Sequence, residues 1–275
     1  MRDVRALRLE GIEERYERYK EKIKNYTIMD DIFMRNVLKE QGCTEYMLQV
    51  IMNQKDLQVV EQTLQKDYKN LQGRSAILDC VARDERARQF NVEIQGDNEG
   101  ASPERARYHS CLLDMNILSP REPFTGLPET YIIFITRNDV LGYNRIICHI
   151  TRKVEEEGKD FGDGSHIIYV NSKKREDTEL GKLMHDLHCK ESGEMHSKIL
   201  ASRVRELKET EKGVSEMCRD MEEIYGEGME EGERKKARET VLSLAELKMP
   251  EEQISQIVKM PLEVVQGWIE ESLAI

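Results

Sequence analysis

The chain has 275 residues and a formal net charge of −11, with 35% of its residues charged and 39% hydrophobic. No apolar stretch approaches the roughly 20 residues that a membrane span requires, and the charged N-terminus lacks the apolar centre of a secretory signal. We therefore expect a helix-rich cytoplasmic protein whose six scattered cysteines stay reduced.

The excess of acid is confined to one part of the chain. Acidic and basic side chains balance over residues 1–153, so all of the excess lies beyond residue 153. Net charge reports on solubility and steering rather than on what one face of a domain binds. The composition therefore leaves nucleic acid open as a partner of the N-terminal part.

Helical and extended patterns alternate along the first 171 residues. The first 27 residues predict a charged helix, and a second helix follows with Thr27 or Asp30 as its cap and Gly42 at its end. A third helix is predicted over 45–52, and a fourth over 102–115 begins with a proline where the missing N–H costs nothing. Strands are predicted at 57–64, 77–81, 90–94, 131–136, 146–150 and 167–170, with a turn at 70–74.

Beyond residue 176 the chain becomes polar and helical. Glycines 226, 228 and 232 are expected to interrupt an acidic helix, and Pro250 and Pro261 each begin a short helix. The charges on this last pair are mainly acidic, which favours a dimerisation or protein-contact hairpin over a DNA-binding helix-turn-helix. Trp268 and Ile269 suit such a contact.

The order of the elements predicts a mixed α/β core with a helical C-terminal tail. We divide the chain into an N-terminal charged helix (1–27), a core (28–200) and a tail (201–275) that is expected to join two copies as a homodimer.

A carboxylate inside an apolar run marks the candidate site. Asp79 lies within Ser-Ala-Ile-Leu-Asp-Cys-Val-Ala, and a buried carboxylate needs a partner or a proton. On the next strand a period of two places Asn91, Glu93 and Gln95 on one face. If the two strands pair, Asp79 and Glu93 repel each other unless a cation bridges them, and a hard divalent cation suits that role. A half-solvated polar face without a function is the alternative.

Two other groups of residues could bind ligands. Arg105, Arg107 and His109 follow on a helix where Arg105 and His109 share a face, so they are candidates for contact with DNA phosphates, and a solvated helix face is the alternative. His185, His188 and Cys189 have no second convergent pair at zinc-finger spacing, which argues against zinc there.

Several stretches, taken in order, resemble the PD-(D/E)XK nuclease superfamily and, within it, the recombination-promoting group of transposase-like nucleases. They are MDDIFMRNVL, DYKNLQGRSAILDCVARDERARQFNVEIQ, PERARYHSCLLD, LPETYIIFITRNDVLG and FGDGSHIIYVN, and together they span residues 29–171. The resemblance implies a restriction-endonuclease-like α/β fold, with a mixed sheet flanked by helices. It also implies metal-dependent DNA cleavage in a recombination, mobile-element or phage-defence setting.

The resemblance also implies roles for individual residues. Asp79 corresponds to the first acid of the motif, Glu93 to the second, and Gln95 to the position usually held by lysine. Asp79, Glu93 and the Ile94 carbonyl would hold Mg²⁺ or Mn²⁺. Gln95 can orient the attacking water by hydrogen bonding, but it adds no positive charge.

The early helix departs from the pattern of this group. Asp30 is a candidate for the helix-borne acid of such nucleases, although a plain N-cap role is as plausible, and Met34 stands where the group often has lysine. The implied partner is DNA, with no membrane and no small-molecule cofactor. A non-catalytic nucleic-acid or protein binding module that retains the nuclease fold is the alternative.

Overall fold

The computed structural model describes residues 4–68, 75–96 and 98–273, and the turn predicted at 70–74 lies outside them. The helices of the described residues are α1 (Val4–Asn25), α2 (Asp31–Leu38), α3 (Gln41–Ile51), α4 (Pro103–Met115), α5 (Glu179–Leu187), α6 (Lys198–Glu209), α7 (Glu211–Glu246), α8 (Glu251–Val258) and α9 (Leu262–Leu273). The strands are β1 (Val59–Tyr68), β2 (Ala76–Asp84), β3 (Gln89–Gln95), β4 (Thr130–Thr136), β5 (Ile147–Ile150), β6 (Lys153–Val154), β7 (Lys159–Asp160) and β8 (Ser165–Asn171).

Six of these strands form one mixed sheet in the order β1-β2-β3-β4-β8-β5, and β6 and β7 form a separate small hairpin. The pairs β1–β2, β2–β3 and β5–β8 are antiparallel, whereas β3–β4 and β4–β8 are parallel. With helices packed on the sheet and a helical C-terminal region, this architecture confirms the predicted restriction-endonuclease-like α/β fold class.

The turn between β2 and β3 fixes how these two strands align. Asp84 is almost fully buried, and its carboxylate accepts hydrogen bonds from the backbone N–H of Arg86 (3.0 Å) and from the backbone N–H (2.9 Å) and Nε (2.7 Å) of Arg88. The resulting register pairs Cys80 with Val92. Continued by one residue along the two strands, this register brings residues 79 and 93 next to each other.

The crossover helix α4 connects β3 to the parallel strand β4 and covers one face of the sheet. All seven residues of β4 are buried, as expected for a central strand covered on both faces. Beneath α4, Leu113 and Ile132 pack with Phe134, whose ring stacks on Tyr169 at 5.5 Å between centroids. Helix α4 also covers Glu93 on β3, since His109 Nδ1 lies 3.6 Å from Glu93 Oε1.

Helix α6 packs against α2 and α3. Its apolar side chains Leu200, Val204 and Leu207 are fully buried. Arg203 donates from Nε (3.2 Å) and Nη2 (2.9 Å) to the carbonyl of Asn36 near the end of α2. These contacts hold α6 against α2.

Two expected helix boundaries were wrong. Gly42 lies inside α3, and α2 already ends at Leu38. The three glycines at 226, 228 and 232 do not interrupt α7, which is one helix of 36 residues. A glycine costs about 1 kcal/mol in a helix interior relative to alanine, which the strong helix formers around it can offset.

Contacts divide the chain into two compact units, residues 1–218 and 219–275. In the second unit, Val241, Ile254, Val265 and Trp268 form a small core. Trp268 is only 6% exposed, so it fills this core instead of offering a contact surface as expected. Among the described residues, none of the helices combines the length and apolarity needed to cross a bilayer.

Candidate active site

Three side chains on neighbouring strands meet at the end of the β2–β3 pairing. The Glu93 Oε1 atom accepts a hydrogen bond from the backbone N–H of Asp79 at 3.1 Å. On the other side, Gln65 of β1 donates from Nε2 to Asp79 Oδ1 at 3.3 Å. Gln65 has a φ of 50°, an uncommon value for a residue other than glycine, and such outliers often occur at functional sites.

Glu93 is a fully buried acid. Besides the Asp79 N–H, its Oε1 accepts a hydrogen bond from Asn91 Nδ2 at 3.0 Å. Burial and the neighbouring charge of Asp79 raise the pKa of Glu93 to about 8, although the hydrogen bonds and Arg105 oppose the shift. The alternative of a half-solvated face does not describe β3, because Asn91 is fully buried as well.

Asp79 is half-buried, and the pKa of its carboxyl is also raised. Burial raises its pKa, the negative charge of Asp31 adds to the shift, and the hydrogen bonds from Gln65 and the Ile94 N–H oppose it. The N–H and C=O of one strand residue point toward the same neighbouring strand. Since the Ile94 N–H reaches Asp79, the Ile94 carbonyl also faces β2.

Gln95 extends the same row of polar side chains. Its Nε2 lies 3.5 Å from Glu93 Oε2, so the two side chains share a face of β3. Its Oε1 lies so close to the backbone of Gly100 that a Cβ at this position would overlap it. Gly100 therefore provides the space in which the Gln95 amide is held beside Glu93.

Helix α4 places a cation and a ring against Glu93. Arg105 Nη2 is 3.5 Å from Glu93 Oε2, and Arg105 Nε donates to His109 Nε2 at 3.2 Å. Because arginine only donates, His109 Nε2 must accept, which leaves the ring proton on Nδ1, 3.6 Å from Glu93 Oε1. His109 is 2% exposed and faces Glu93 rather than solvent, whereas Arg107 is exposed. Contact with DNA phosphates stays a prediction for the two arginines.

Helix α2 begins beside two adjacent acids, Asp30 and Asp31, that have different partners. Asp30 closes the preceding turn through Oδ2, which accepts from the Thr27 N–H (2.7 Å) and hydroxyl (2.8 Å), and its Oδ1 lies 3.7 Å from Arg137. Asp31 is the residue whose charge acts on Asp79, and it binds Arg35 through two hydrogen bonds of 3.0 and 2.6 Å.

A cation also comes from this helix, one position after the one at which the family pattern has lysine. Met34 is fully buried in the core. Arg35 is close enough to lower the pKa of Asp79. Arg35 is also paired with Asp31, so the positive charge at position 35 is largely balanced by that carboxylate.

The groups at this site fit a hard divalent cation. They are carboxylate and carbonyl oxygens, which Mg²⁺ prefers, and one or two carboxylates are the usual number for that ion. The buried Asn91 Oδ1, next to Glu93, accepts no hydrogen bond from the part of the chain that the structure describes. Two adjacent acids with raised pKa values are also what a missing positive charge produces.

Comparison with known protein families identifies the family of the chain. A family model described as PD-(D/E)XK nuclease family transposase matches residues 43–240, which contain Asp79, Glu93 and Gln95 and leave out α2. Neither the curated proteins nor the solved structures contain a match. The chain belongs to the PD-(D/E)XK nuclease family transposases.

Proposed function

We propose that this protein is a metal-dependent DNA endonuclease that hydrolyses phosphodiester bonds. The observation that carries the proposal is the pairing of Asp79 with Glu93, two acids on adjacent strands whose pKa values are both raised. Asp79, Glu93 and the Ile94 carbonyl are the groups that would hold Mg²⁺ or Mn²⁺. Such an ion supplies charge neutralisation at the phosphate and acidifies a bound water.

The chain itself contributes orientation and positive charge. Gln95 can fix the direction of the attacking water through its amide, and Gly100 limits where that amide lies. Arg105 is 40% exposed at its side chain while lying near Glu93, so it can contact a phosphate at the site. The buried His109 helps to hold Arg105 in place, because its Nε2 accepts a hydrogen bond from Arg105 Nε.

Two grooves lined in part by basic side chains support DNA as the substrate. The groove beside the start of α4 is lined by Ser75, Ser102, Glu104, Arg105, Arg107 and Tyr108, among others. At the ends of β4 and β8 a second groove is lined by Asn138, Asp139, Asn144, Asn171, Lys173 and Lys174. Arginine, lysine and asparagine side chains are typical partners of the phosphate backbone.

The proposal includes a homodimer in a reducing cytoplasmic setting. One site cleaves one strand at a time, so a cut through both strands needs two copies, which a symmetric dimer supplies. On α7, Ile224 and Met229 are 42% and 49% exposed, and we propose this part of the tail as the contact. The cysteines are free thiols, as a reducing compartment requires.

Plasmid cleavage tests the proposal. We expect the full chain to nick or linearise supercoiled plasmid with Mg²⁺ or Mn²⁺ and to lose this activity in EDTA. Asp79→Ala should reduce cleavage to the level of buffer alone. Asp67→Ala is the matched control, because Asp67 is an exposed acid on the adjacent strand β1, and it should cleave as fast as the unmodified protein.

Equal cleavage by Asp79→Ala and the unmodified protein would place the activity elsewhere. Tight DNA binding without cleavage in either metal would favour the non-catalytic binding module instead.

A further inference from the structure

A second group of metal-ligating side chains lies where α5 leads into the segment before α6. His185 and Asp186 are at the end of α5, and His196 is in the segment that follows. One ligand atom from each of the three lies within 4.8 Å of the others, and no other such group occurs in the searched, described residues. None of the three belongs to the Asp79–Glu93 site.

Two distances around His185 fall in the range of a tetrahedral zinc site. His185 Nδ1 is 3.3 Å from Asp186 Oδ1 and 3.4 Å from Cys189 Sγ. Zinc bonds of about 2.0–2.3 Å in a tetrahedron place neighbouring ligand atoms about 3.3–3.6 Å apart. The rings of His185 and His196 are 4.8 Å apart between centroids, and the His196 side chain is exposed, so it has room to turn toward an ion beside His185.

The site has one rigid and one adaptable side. Asp186 is fully buried, and its two oxygens accept hydrogen bonds from the backbone N–H of His196 (2.8 Å) and Ser197 (2.7 Å). Each carboxylate oxygen retains a further lone pair for a metal. Cys189 is buried beside His185, whereas His196 is exposed. His185, Asp186 and His196 therefore lie together already, and Cys189 adds a sulfur next to His185.

The chemistry of the donors selects the ion. Two imidazoles, one thiolate and one carboxylate are nitrogen, sulfur and oxygen donors, a set that zinc accepts and Mg²⁺ does not. The sequence argued against zinc because His185, His188 and Cys189 lacked a second pair. His188 is in fact turned to Ser172, with Nε2 at 2.9 Å from the hydroxyl. His196, seven residues after Cys189, takes its place in the group.

We propose that His185, Asp186, Cys189 and His196 bind a structural Zn²⁺ ion. The ion would tie the end of α5 to the segment that begins α6. This junction contacts the region before α2, where the Met29 N–H donates to the Leu187 carbonyl at 3.3 Å. Zinc at this place would stabilise the packing around the junction of α5 and α6, and this role is independent of nuclease activity.

Cobalt spectroscopy on the full chain tests the proposal. Co²⁺ replaces Zn²⁺ in tetrahedral sites, and a thiolate ligand gives a charge-transfer band in the near ultraviolet. The titration uses reduced, chelator-treated Asp79→Ala protein, so that the nuclease site does not compete. We expect one tightly bound Co²⁺ with tetrahedral bands in the visible, displaced by one equivalent of Zn²⁺. Zn²⁺ should also raise the melting temperature.

Variants then assign the ligands. Cys189→Ser should lose the charge-transfer band, and His185→Ala and His196→Ala should each weaken binding by more than the roughly 10–100-fold that loss of an outer-shell partner costs. His149→Ala is the control, because His149 is an exposed histidine on β5, and it should bind as the parent does. His196 is exposed, so its replacement leaves folding intact and keeps the test valid. Octahedral spectra, or unchanged affinity in His185→Ala and His196→Ala, would overturn the zinc site.

Discussion

Replacing Glu93 by glutamine should change how the stability of the metal-free protein depends on pH. In the folded chain Glu93 has a pKa of about 8 instead of 4.5, since it is buried beside Asp79. Between these two values the folded state binds more protons than the unfolded state. The contribution of Glu93 to the free energy of unfolding therefore falls as pH rises from about 4.5 to about 8, and it levels off above that.

The size of the effect follows from the shift in pKa. One pKa unit corresponds to about 1.4 kcal/mol, so the shift from 4.5 to about 8 gives an upper bound of about 5 kcal/mol. Most of it develops between pH 5 and pH 8, on the order of 4 kcal/mol. Glu93→Gln carries no titrating group, so its unfolding free energy should lack this component. The unfolding free energy of Glu93→Gln, relative to that of the unmodified protein, should therefore increase as pH rises.

Urea denaturation with EDTA at pH 5, 6.5 and 8 measures this difference. Glu61→Gln is the control, because Glu61 is exposed on β1 with 63% of its side chain accessible, and it should follow the unmodified protein at every pH. Adding Mn²⁺ at pH 8 should stabilise the unmodified protein and have little effect on Glu93→Gln. If the difference in unfolding free energy between Glu93→Gln and the unmodified protein is the same at all three pH values, Glu93 is not a strained buried acid.

Three further predictions concern the remaining parts of the site and the tail. Gln95→Ala should slow plasmid cleavage by about 10²–10³-fold, as loss of an orienting donor commonly does, whereas Gln95→Lys should keep or increase the rate. Equal rates for Gln95→Ala and the unmodified protein would show that Gln95 has no part in catalysis. Asp31→Asn should lower the pKa of Asp79, since it removes a negative charge nearby, and NMR titration of the Asp79 carboxyl would show an unchanged value if the helix acid is too distant. Met229→Glu should halve the mass measured by light scattering, and an unchanged mass would exclude this part of α7 as the dimer contact.

The strand pair could be predicted because its signals are local. Asp79 stands out as an acid in an apolar run, and alternation along the next strand puts Glu93 and Gln95 on one face. Both strands occur, and the charged turn between them holds the register through Asp84.

What the sequence could not predict depends on long-range packing. Gln65 reaches Asp79 because the β1–β2 register shifts between Val59 and Glu61, and no local pattern reveals such a shift. The full burial of Glu93 results from α4 lying over the sheet.

The helices were also harder to predict in detail. Asp30 and Asp31 are adjacent acids at a helix start, so only the orientation of α2 on the sheet decides which one acts on Asp79. At glycines 226, 228 and 232 of α7 nothing in the described part of the chain, apart from the helix's own backbone, lies within 4 Å of where a Cβ would be. The helix continues through them because strong helix formers surround them.

A crystal grown with Mn²⁺ and examined by anomalous diffraction tests the central claim most directly. We predict one anomalous peak between Asp79 and Glu93, bonded to an oxygen of each carboxylate and to the Ile94 carbonyl at about 2.0–2.2 Å, the range of small hard cations. The peak should vanish in Asp79→Asn crystals and persist in Asp67→Asn crystals. A well-ordered site at these acids without an anomalous peak, at Mn²⁺ concentrations that support DNA cleavage, would contradict the account.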